Sequence, residues 1–500
     1  EFREYERAST TVVAASVAPQ VSSYLQAIQE KLQSQDWQGD DLYIMHSGGG
    51  TLPPHAAIRK PHTMIESGPA AGIIAAGQLA QTVGLERVIA FDMGGTTAKA
   101  GLVMAGQPLY ANECEVGGEI HYGGRARGSG YPVRFPMIDI AECGAGAGSI
   151  AWVDSGGHLK VGPRSAGADP GPACYGKGGD QPTVTDAYLA LGYIDPDSFL
   201  GGALPLDHQL AIQAIHDHIG EPLNLSLHDA ALGIVTIANA NMLRILRLVS
   251  IERGHDPRDF SLVAYGGAGP LHATNLAEKL SIRRVIIPRF PGLFSALGLL
   301  FADVSTDFVE TVMVTLTPEN LEKLNTTLDH LSVNTKAWFQ QVNTPENKGI
   351  QKVSADLRYL RQNYELNVPL PGTKISFEDL KNIQTQFHEA HNTVYGHSTL
   401  GETIQVVNLK LRAVKLLSKP VLSQLSDDSS RKTSKPSSKS RRVWFPDGQM
   451  PCQLYQRKNL EVGQTIEGPA IIQEKEATTL VDNKWRLRLD LFGNLVIERD

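Results

Sequence analysis

Residues 91–103 read FDMGGTTAKAGLV. An apolar run from Val88 to Phe91 ends in the acidic Asp92. Gly94, Gly95, Thr96 and Thr97 follow, and a second apolar run extends from Ala98 to Met104. This pattern predicts two strands joined by a turn at 92–97, the first strand buried on both faces. Glycines let the backbone turn tightly, and successive N–H groups in such a turn face one way and form an anion nest. Thr96 and Thr97 add hydroxyl donors. Asp92 stands where a carboxylate holds a hydrated Mg²⁺ beside a polyphosphate. On turn chemistry alone a plain β-hairpin reads equally well; the Asp-x-Gly-Gly-Thr-Thr combination favours phosphate binding.

A second glycine turn lies in VAYGGAGPLHA, 263–273. A strand is followed by Gly266, Gly267, Ala268 and Gly269, then by a helix with Pro270 near its first turn. A helix N-terminus attracts anions, and bare glycines admit a flat ring against the backbone. The segment is neither a Walker loop nor a full G-x-G-x-x-G, and a packing turn is the alternative. FSLVAY (260–265), the glycine turn with its helix (266–280) and RRVIIP (283–288) form a strand–turn–helix–strand unit, which is α/β grammar. Two such turns in one chain suggest a nucleotide held between them.

Helical spacing appears at Thr10–Leu32, in the small-residue segment 66–80, at 185–195 and at 229–250. Residues 106–184 are rich in Gly and Pro and read as short strands. A second region carries helices near 318–341 and 377–395, with strands between them at 353–369. Five hundred residues imply several domains. The expected layout is a core over 1–303, an α/β extension over 304–424, a Ser- and Lys-rich linker over 425–442 and a small β-rich unit over 443–500. Hydrophobic residues make up 42% and charged residues 20%, with a net charge of −7, which speaks against a nucleic-acid binder. No run of 18 apolar residues suggests a membrane span. Four Cys, at 114, 143, 174 and 452, are too few for a disulfide scaffold and fit a reducing, cytoplasmic setting. The chain opens at Glu1 without Met or a leader pattern and reads as the inner part of a longer polypeptide.

Other polar residues offer themselves for chemistry. Asp139, Glu142, Cys143, Cys174 and Asp186, with His121 nearby, carry metal-ligand atoms but lack C-x-x-C or H-x-x-x-H spacing. Asp139 is the one named as a metal candidate; buried structural Cys and a helix-capping Asp186 are the alternative. Arg244, Arg247, Glu252 and Arg253 flank a helix end and suit either nucleotide contact or a solvated face. His255 and His272 read as packed or surface histidines.

Seven ordered segments resemble the hydantoinase A / 5-oxoprolinase family. They are FDMGGTTAKAGLV, YPVRFPMIDIAECGAGAGSIAWVD, VGPRSAGADPGPACYGKGGDQPTVTDAYLALG, ANANMLRILRLVSIERGHDPRDF, YGGAGPLHA, PRFPGLFSALGLLFADV and EGPAIIQEKEATTLV. The resemblance spans nearly the whole chain. It implies an α/β, actin-like ATPase fold in two lobes, shared with sugar kinases and heat-shock chaperone ATPases, followed by an α+β extension. It implies ATP and Mg²⁺, leaves room for a second metal, and points to a small cyclic amide or a ketone as substrate. The expected activity is ATP-dependent opening of a hydantoin- or 5-oxoproline-type ring; a subunit of an ATP-dependent ketone carboxylase and a non-catalytic nucleotide-binding protein are the alternatives. A hydantoinase B-type partner subunit is expected. Asp92 would hold Mg²⁺ or order a water; Gly94, Gly95, Thr96 and Thr97 would take phosphate; Gly266, Gly267 and Gly269 would face adenosine. Gly-Gly-Thr-Thr-Ala-Lys at 94–99, with GSGYPVR and GSIAWVD, is more similar to the N-methylhydantoinase and acetone-carboxylase branch than to 5-oxoprolinases. Two departures stand out. No Asp-x-Gly-Gly-Thr loop precedes Phe91, so the opening of the N-terminal lobe is missing from the pattern. GAGAGS at 144–149 has Ala147 where the family often has Gly, which questions a close backbone contact there.

Overall fold

The computed structural model describes residues 3–35, 37, 42–118, 120–121, 130–345, 348–425 and 440–499. The helices that matter are α1 (Glu4–Ser34), α2 (Ser67–Val83), α3 (Val184–Leu191), α4 (Leu227–Val249), α5 (Gly269–Lys279), α6 (Leu321–Gln341) and α7 (Phe377–Tyr395).

The central sheet is built on β1 (Arg87–Met93), β2 (Ala98–Met104), β3 (Ile140–Cys143), β4 (Ser261–Tyr265) and β5 (Arg284–Ile287). Their spatial order is β3-β2-β1-β4-β5. The β1–β2 and β2–β3 pairs are antiparallel, whereas β4 runs parallel to both β1 and β5, with α5 as the crossover. Side chains alternate across the pleat. Val88, Ala90 and Val263 pack under α2 on one face. Ile89, Phe91, Leu262 and Ala264 pack under α3, α4 and α5 on the other. Burial on both faces explains why β1 and β4 are continuous apolar runs. The small residues of α2 let it lie close: a Cβ on Gly77 would come within 2.7 Å of the Gly106 carbonyl oxygen.

A second, six-stranded sheet holds β6 (Asp303–Thr315), β7 (Gly349–Tyr359), β8 (Leu366–Pro369) and β9 (Ile404–Lys415), plus the short strands Ile44–Met45 and Gly50–Leu52. Helices α6 and α7 cover it. Strand β6 pairs with Gly50–Leu52, so the expected boundary at 303 runs through a shared sheet.

The last segment was expected to be a small separate β unit, and the structure divides it. Strands β10 (Ser440–Phe445), β11 (Gly448–Gln456), β13 (Ala470–Gln473) and β14 (Thr478–Val481) form their own sheet. Strands β12 (Thr465–Glu467), β15 (Arg486–Leu489) and β16 (Leu495–Glu498) instead extend the central sheet, with β16 antiparallel to β5. They cover what would be an open edge. Of the expected linker 425–442, residues 426–439 lie outside the described residues, and β10 begins at Ser440, inside the expected span.

Among the described residues one helix is long and apolar enough to cross a bilayer, Leu227–Arg253. It is the core helix α4 with its end turn, with Ile234, Ala238, Met242 and Ile245 buried against the sheet and its neighbours. The long α1 confirms helix over 10–32; Leu25 is its one fully buried hydrophobe, Val13, Val17, Val21, Ile28 and Leu32 are partly buried, and Val12 is 67% exposed.

Candidate active site

The tip of the β1–β2 hairpin projects from the end of the sheet. Asp92 pairs across the strands with Lys99 and Met93 with Ala98, and the Gly94 N–H donates to the Thr97 carbonyl at 3.2 Å. Neither Gly94 nor Gly95 takes a left-handed φ, so the tight-turn argument for them fails. The space around them supplies the reason instead: a Cβ on either would meet no heavy atom within 4 Å. They border an opening that a side chain would fill.

The loop 144–149 supports the tip from beneath. The Ala147 N–H donates to the Gly94 carbonyl at 3.0 Å and the Gly148 N–H to the Gly95 carbonyl at 2.6 Å. A Cβ on Gly146 would lie 2.4 Å from the Thr96 nitrogen. The close approach therefore falls on Gly146 and Gly148, and the methyl of Ala147 does not obstruct it. The Ala147 carbonyl accepts both the N–H and the hydroxyl of Thr185, which fixes the loop to the first turn of α3.

The second glycine turn docks on the first. The Ala268 N–H donates to the Met93 carbonyl at 3.0 Å. Gly266 has φ +81°, and a Cβ there would lie 2.4 Å from Asp92 Oδ1. Gly269 is buried against Met93 and Phe91. Gly266 and Gly269 thus seat the turn, and Gly267 is the glycine that faces outward. The two turns meet at a cavity of about 230 Å³ lined by Gly94, Gly95, Ala147, Gly267 and Ala268. Apolar and aromatic walls come from Tyr175, Phe199 and Leu271, and a rim from the β13–β14 loop, Gln473–Thr478. The sequence reading placed the two turns and missed these walls. EGPAIIQEKEATTLV, already singled out, was the signal for the rim.

Asp92 accepts the Ser295 hydroxyl at 3.3 Å, and burial raises its carboxyl above the usual range, against the pull of Lys99. A carboxylate with a hydroxyl neighbour beside an open Gly-Gly tip is a donor set that suits Mg²⁺. On the face it shares with Asp92, its cross-strand partner, the Lys99 ammonium donates to Thr97 Oγ1 at 2.9 Å and pairs with Glu142 at 3.2 Å and Glu66 at 3.8 Å. Glu66 has a left-handed φ of 64° at the start of α2. Burial and the Glu142 charge push its carboxyl up to about 7. Glu66, Thr97, Glu142 and Glu115 border a further cavity of about 450 Å³. Sequence reasoning did not single out Glu66 or Lys99; it named Glu142 only as part of a loose group.

That group does not assemble. Asp139 is gripped by Arg253 through two hydrogen bonds, 2.9 and 3.0 Å, at the end of β3 away from the tip, so an ion pair replaces the expected metal role. Asp186 completes the capping box of α3 with Thr183 and accepts the Cys174 N–H. Cys143 and Cys174 are buried, and desolvation raises both thiols, Cys143 to about 12, which disfavours the thiolate a metal needs. The side chain of His121 lies outside the described residues. Arg244, Arg247 and Glu252 are exposed and do not line the 230 Å³ cavity. His272 is buried between Asn239 and Tyr188, and burial holds it neutral, down at about 3. His255 lies edge-on to Phe260. Among the described residues the one cluster with metal-ligand spacing, His216, Asp217 and Glu221, is exposed on a helical surface.

A family profile described as Hydantoinase/oxoprolinase matches residues 7–308, and one described as Hydantoinase/oxoprolinase C-terminal domain matches 316–496. An uncharacterized protein of Methanocaldococcus jannaschii is 43% identical over 100% of this chain and 71% of its own length. The caprolactamase subunit alpha of Pseudomonas jessenii is 36% identical over 98% of this chain and 69% of its own. The crystal structure of ATP-dependent caprolactamase from that organism superposes with a TM-score of 0.85 at 35% identity, covering 100% of this chain and 71% of that one. A nucleotide-free acetone carboxylase structure gives 0.78 at 25% identity, covering 100% and 70%.

Proposed function

The chain belongs to the hydantoinase/oxoprolinase family, and on that premise we propose that it is the ATP-using subunit of a hydrolase that opens a cyclic amide. The observation that carries the reading is the 230 Å³ cavity on which both glycine turns converge. Its backbone side, at Gly94, Gly95 and Gly267, suits a polyphosphate. Its apolar side, at Tyr175, Phe199 and Leu271, suits a flat base. The similarity to an enzyme described as an ATP-dependent caprolactamase supports the same assignment.

A ring amide resists water because resonance makes its carbonyl a poor electrophile. In the proposed reaction the amide oxygen attacks the γ-phosphorus and the bond to the ADP oxygen breaks, ADP leaving with that electron pair. The amide nitrogen gives up its proton, and the product is an imidate phosphate. Water adds to its carbon, the ring C–N bond breaks as the nitrogen takes up a proton, and a second water hydrolyses the resulting acyl phosphate to a carboxylate and inorganic phosphate. Such a step needs positioning and charge neutralisation more than covalent help. Backbone N–H groups at the tip and the hydroxyls of Thr96 and Thr97 hold the phosphoryl oxygens. Asp92 would hold Mg²⁺, whose charge would offset that of the phosphates. Relatives named as subunits support a partner subunit, which we take to be of the hydantoinase B type. Four unpaired, buried cysteines fit a cytoplasmic setting.

A second reading is favoured by the likeness to acetone carboxylase: the same phosphorylation of an enol oxygen in an ATP-dependent ketone carboxylase. Turnover of ATP by the full-length protein with its partner, against caprolactam, hydantoin, 5-oxoproline and acetone, separates the two. Lactam-stimulated ADP release without bicarbonate supports the hydrolase; release that needs a ketone and bicarbonate assigns the carboxylase; no stimulation by any of them counts against both.

A further inference from the structure

We propose that Lys99 is a positioning residue. Its tethered ammonium is the fixed counter-charge that makes an acidic corner competent for the terminal phosphoryl group, and it aims the Thr97 hydroxyl as a donor. The inference rests on the reading of the hairpin as the phosphate site.

Lys99 is the second residue of β2 and faces Asp92 across the hairpin. An ammonium has three donors and no acceptor. Here one donor reaches Thr97 Oγ1, and the ammonium forms ion pairs with Glu142 and Glu66. Because Lys99 can only donate, Thr97 Oγ1 must accept, and the hydroxyl proton is left to point elsewhere. Thr97 sits at the tip, between the open glycines and the 450 Å³ cavity. Among the described residues, the charged groups that act on Lys99 from β1, α2 and β3 are all acidic: Asp92, Glu66 and Glu142. Burial first, and the Glu142 charge second, raise the Glu66 carboxyl, while Lys99 pulls it down. The side chains of Lys99, Glu66 and Glu142 are each about one-fifth exposed, so water screens them weakly.

An ordinary structural ion pair would show the same contacts, so the test reads discrimination between nucleotides. Affinities for a non-hydrolysable ATP analogue and for ADP are measured with Mg²⁺ by calorimetry on the full-length protein, with melting temperature as the fold control. Lys99→Met is expected to lower the preference for the triphosphate on the order of tenfold, the scale seen when one partner of a close charge pair is removed. ADP affinity should stay within about threefold. Lys99→Arg should keep most of the preference. Lys99→Met with Glu142→Gln should recover much of it, because the uncompensated charge is gone; this double variant also carries the test if the single variant does not fold. An unchanged preference in Lys99→Met, or a double variant no better than the single one, overturns the proposal. Absence of nucleotide binding in the unsubstituted protein contradicts the phosphate reading itself, a different failure.

Discussion

Asp482 joins the C-terminal sheet to α5 by accepting the Thr274 hydroxyl at 2.8 Å, and burial pushes its carboxyl up to about 6. The folded state therefore binds this proton more tightly than the unfolded chain, whose carboxyl titrates near the ordinary 3.8. Stability falls as pH rises through that window, by roughly 3 kcal/mol once both states are ionised. Asp482→Asn should raise the melting temperature at about pH 8 and flatten its fall between about pH 4 and about pH 6. An unchanged slope would remove Asp482 as the cause. At this scale the sequence exposed the groups that sit together along the chain: Asp92, Gly94 and Gly95 adjoin one turn, although the tightness expected of the two glycines is not found there. The meeting of Lys99, Glu66 and Glu142 was not legible, because it depends on three elements converging. The role of Gly266 also escaped, since only the folded chain shows Asp92 packed where its Cβ would be.

The loop 144–149 acts as an element by holding the hairpin tip at backbone distance. Gly146→Val would drive a branched side chain into the Gly95–Thr96 backbone, where even a Cβ is too close. The sheet and helices beneath should remain folded. Nucleotide affinity is expected to drop at least about tenfold, because a displaced nest no longer aims its N–H groups. Ala147→Gly should change affinity by less than about threefold, as its contacts are made by backbone. Equal effects of the two substitutions in a binding titration would show that the close contact at 146 is not what sets the tip. Element type was legible wherever one periodicity ran long enough. Phe377–Tyr395 matches the expected helix end to end, and the β1–β2 hairpin matches within two residues. What periodicity cannot report is how completely an apolar face is covered, as α1 shows with Leu25 buried and Val13 and Val17 only partly so.

Over the whole molecule, several connections bind the central core to the C-terminal part of the chain, and two of them are extensive. One is the set of C-terminal strands that close the sheet edge, anchored by the fully buried Trp485. The other is a buried polar knot around Asp356, which pairs with Lys410 at 2.9 Å and accepts from Asn408, Asn367 and, across from the core, Asn112. Asp356→Ala leaves the Lys410 ammonium buried without its partner and should cost about 3–5 kcal/mol in denaturant unfolding. A loss under about 1 kcal/mol would mean that water reaches this knot. The sequence divided the chain into consecutive domains and could not show either connection, because both pair residues more than 200 positions apart. The central claim is that the cavity between the glycine turns binds ATP. The most direct measurement is titration of a non-hydrolysable ATP analogue with Mg²⁺ into the full-length protein and its Gly95→Val variant. The expected result is Mg²⁺-dependent binding that the variant loses by at least about tenfold with its melting temperature preserved, since the new side chain enters empty space. Equal affinity in a folded Gly95→Val protein would contradict the account.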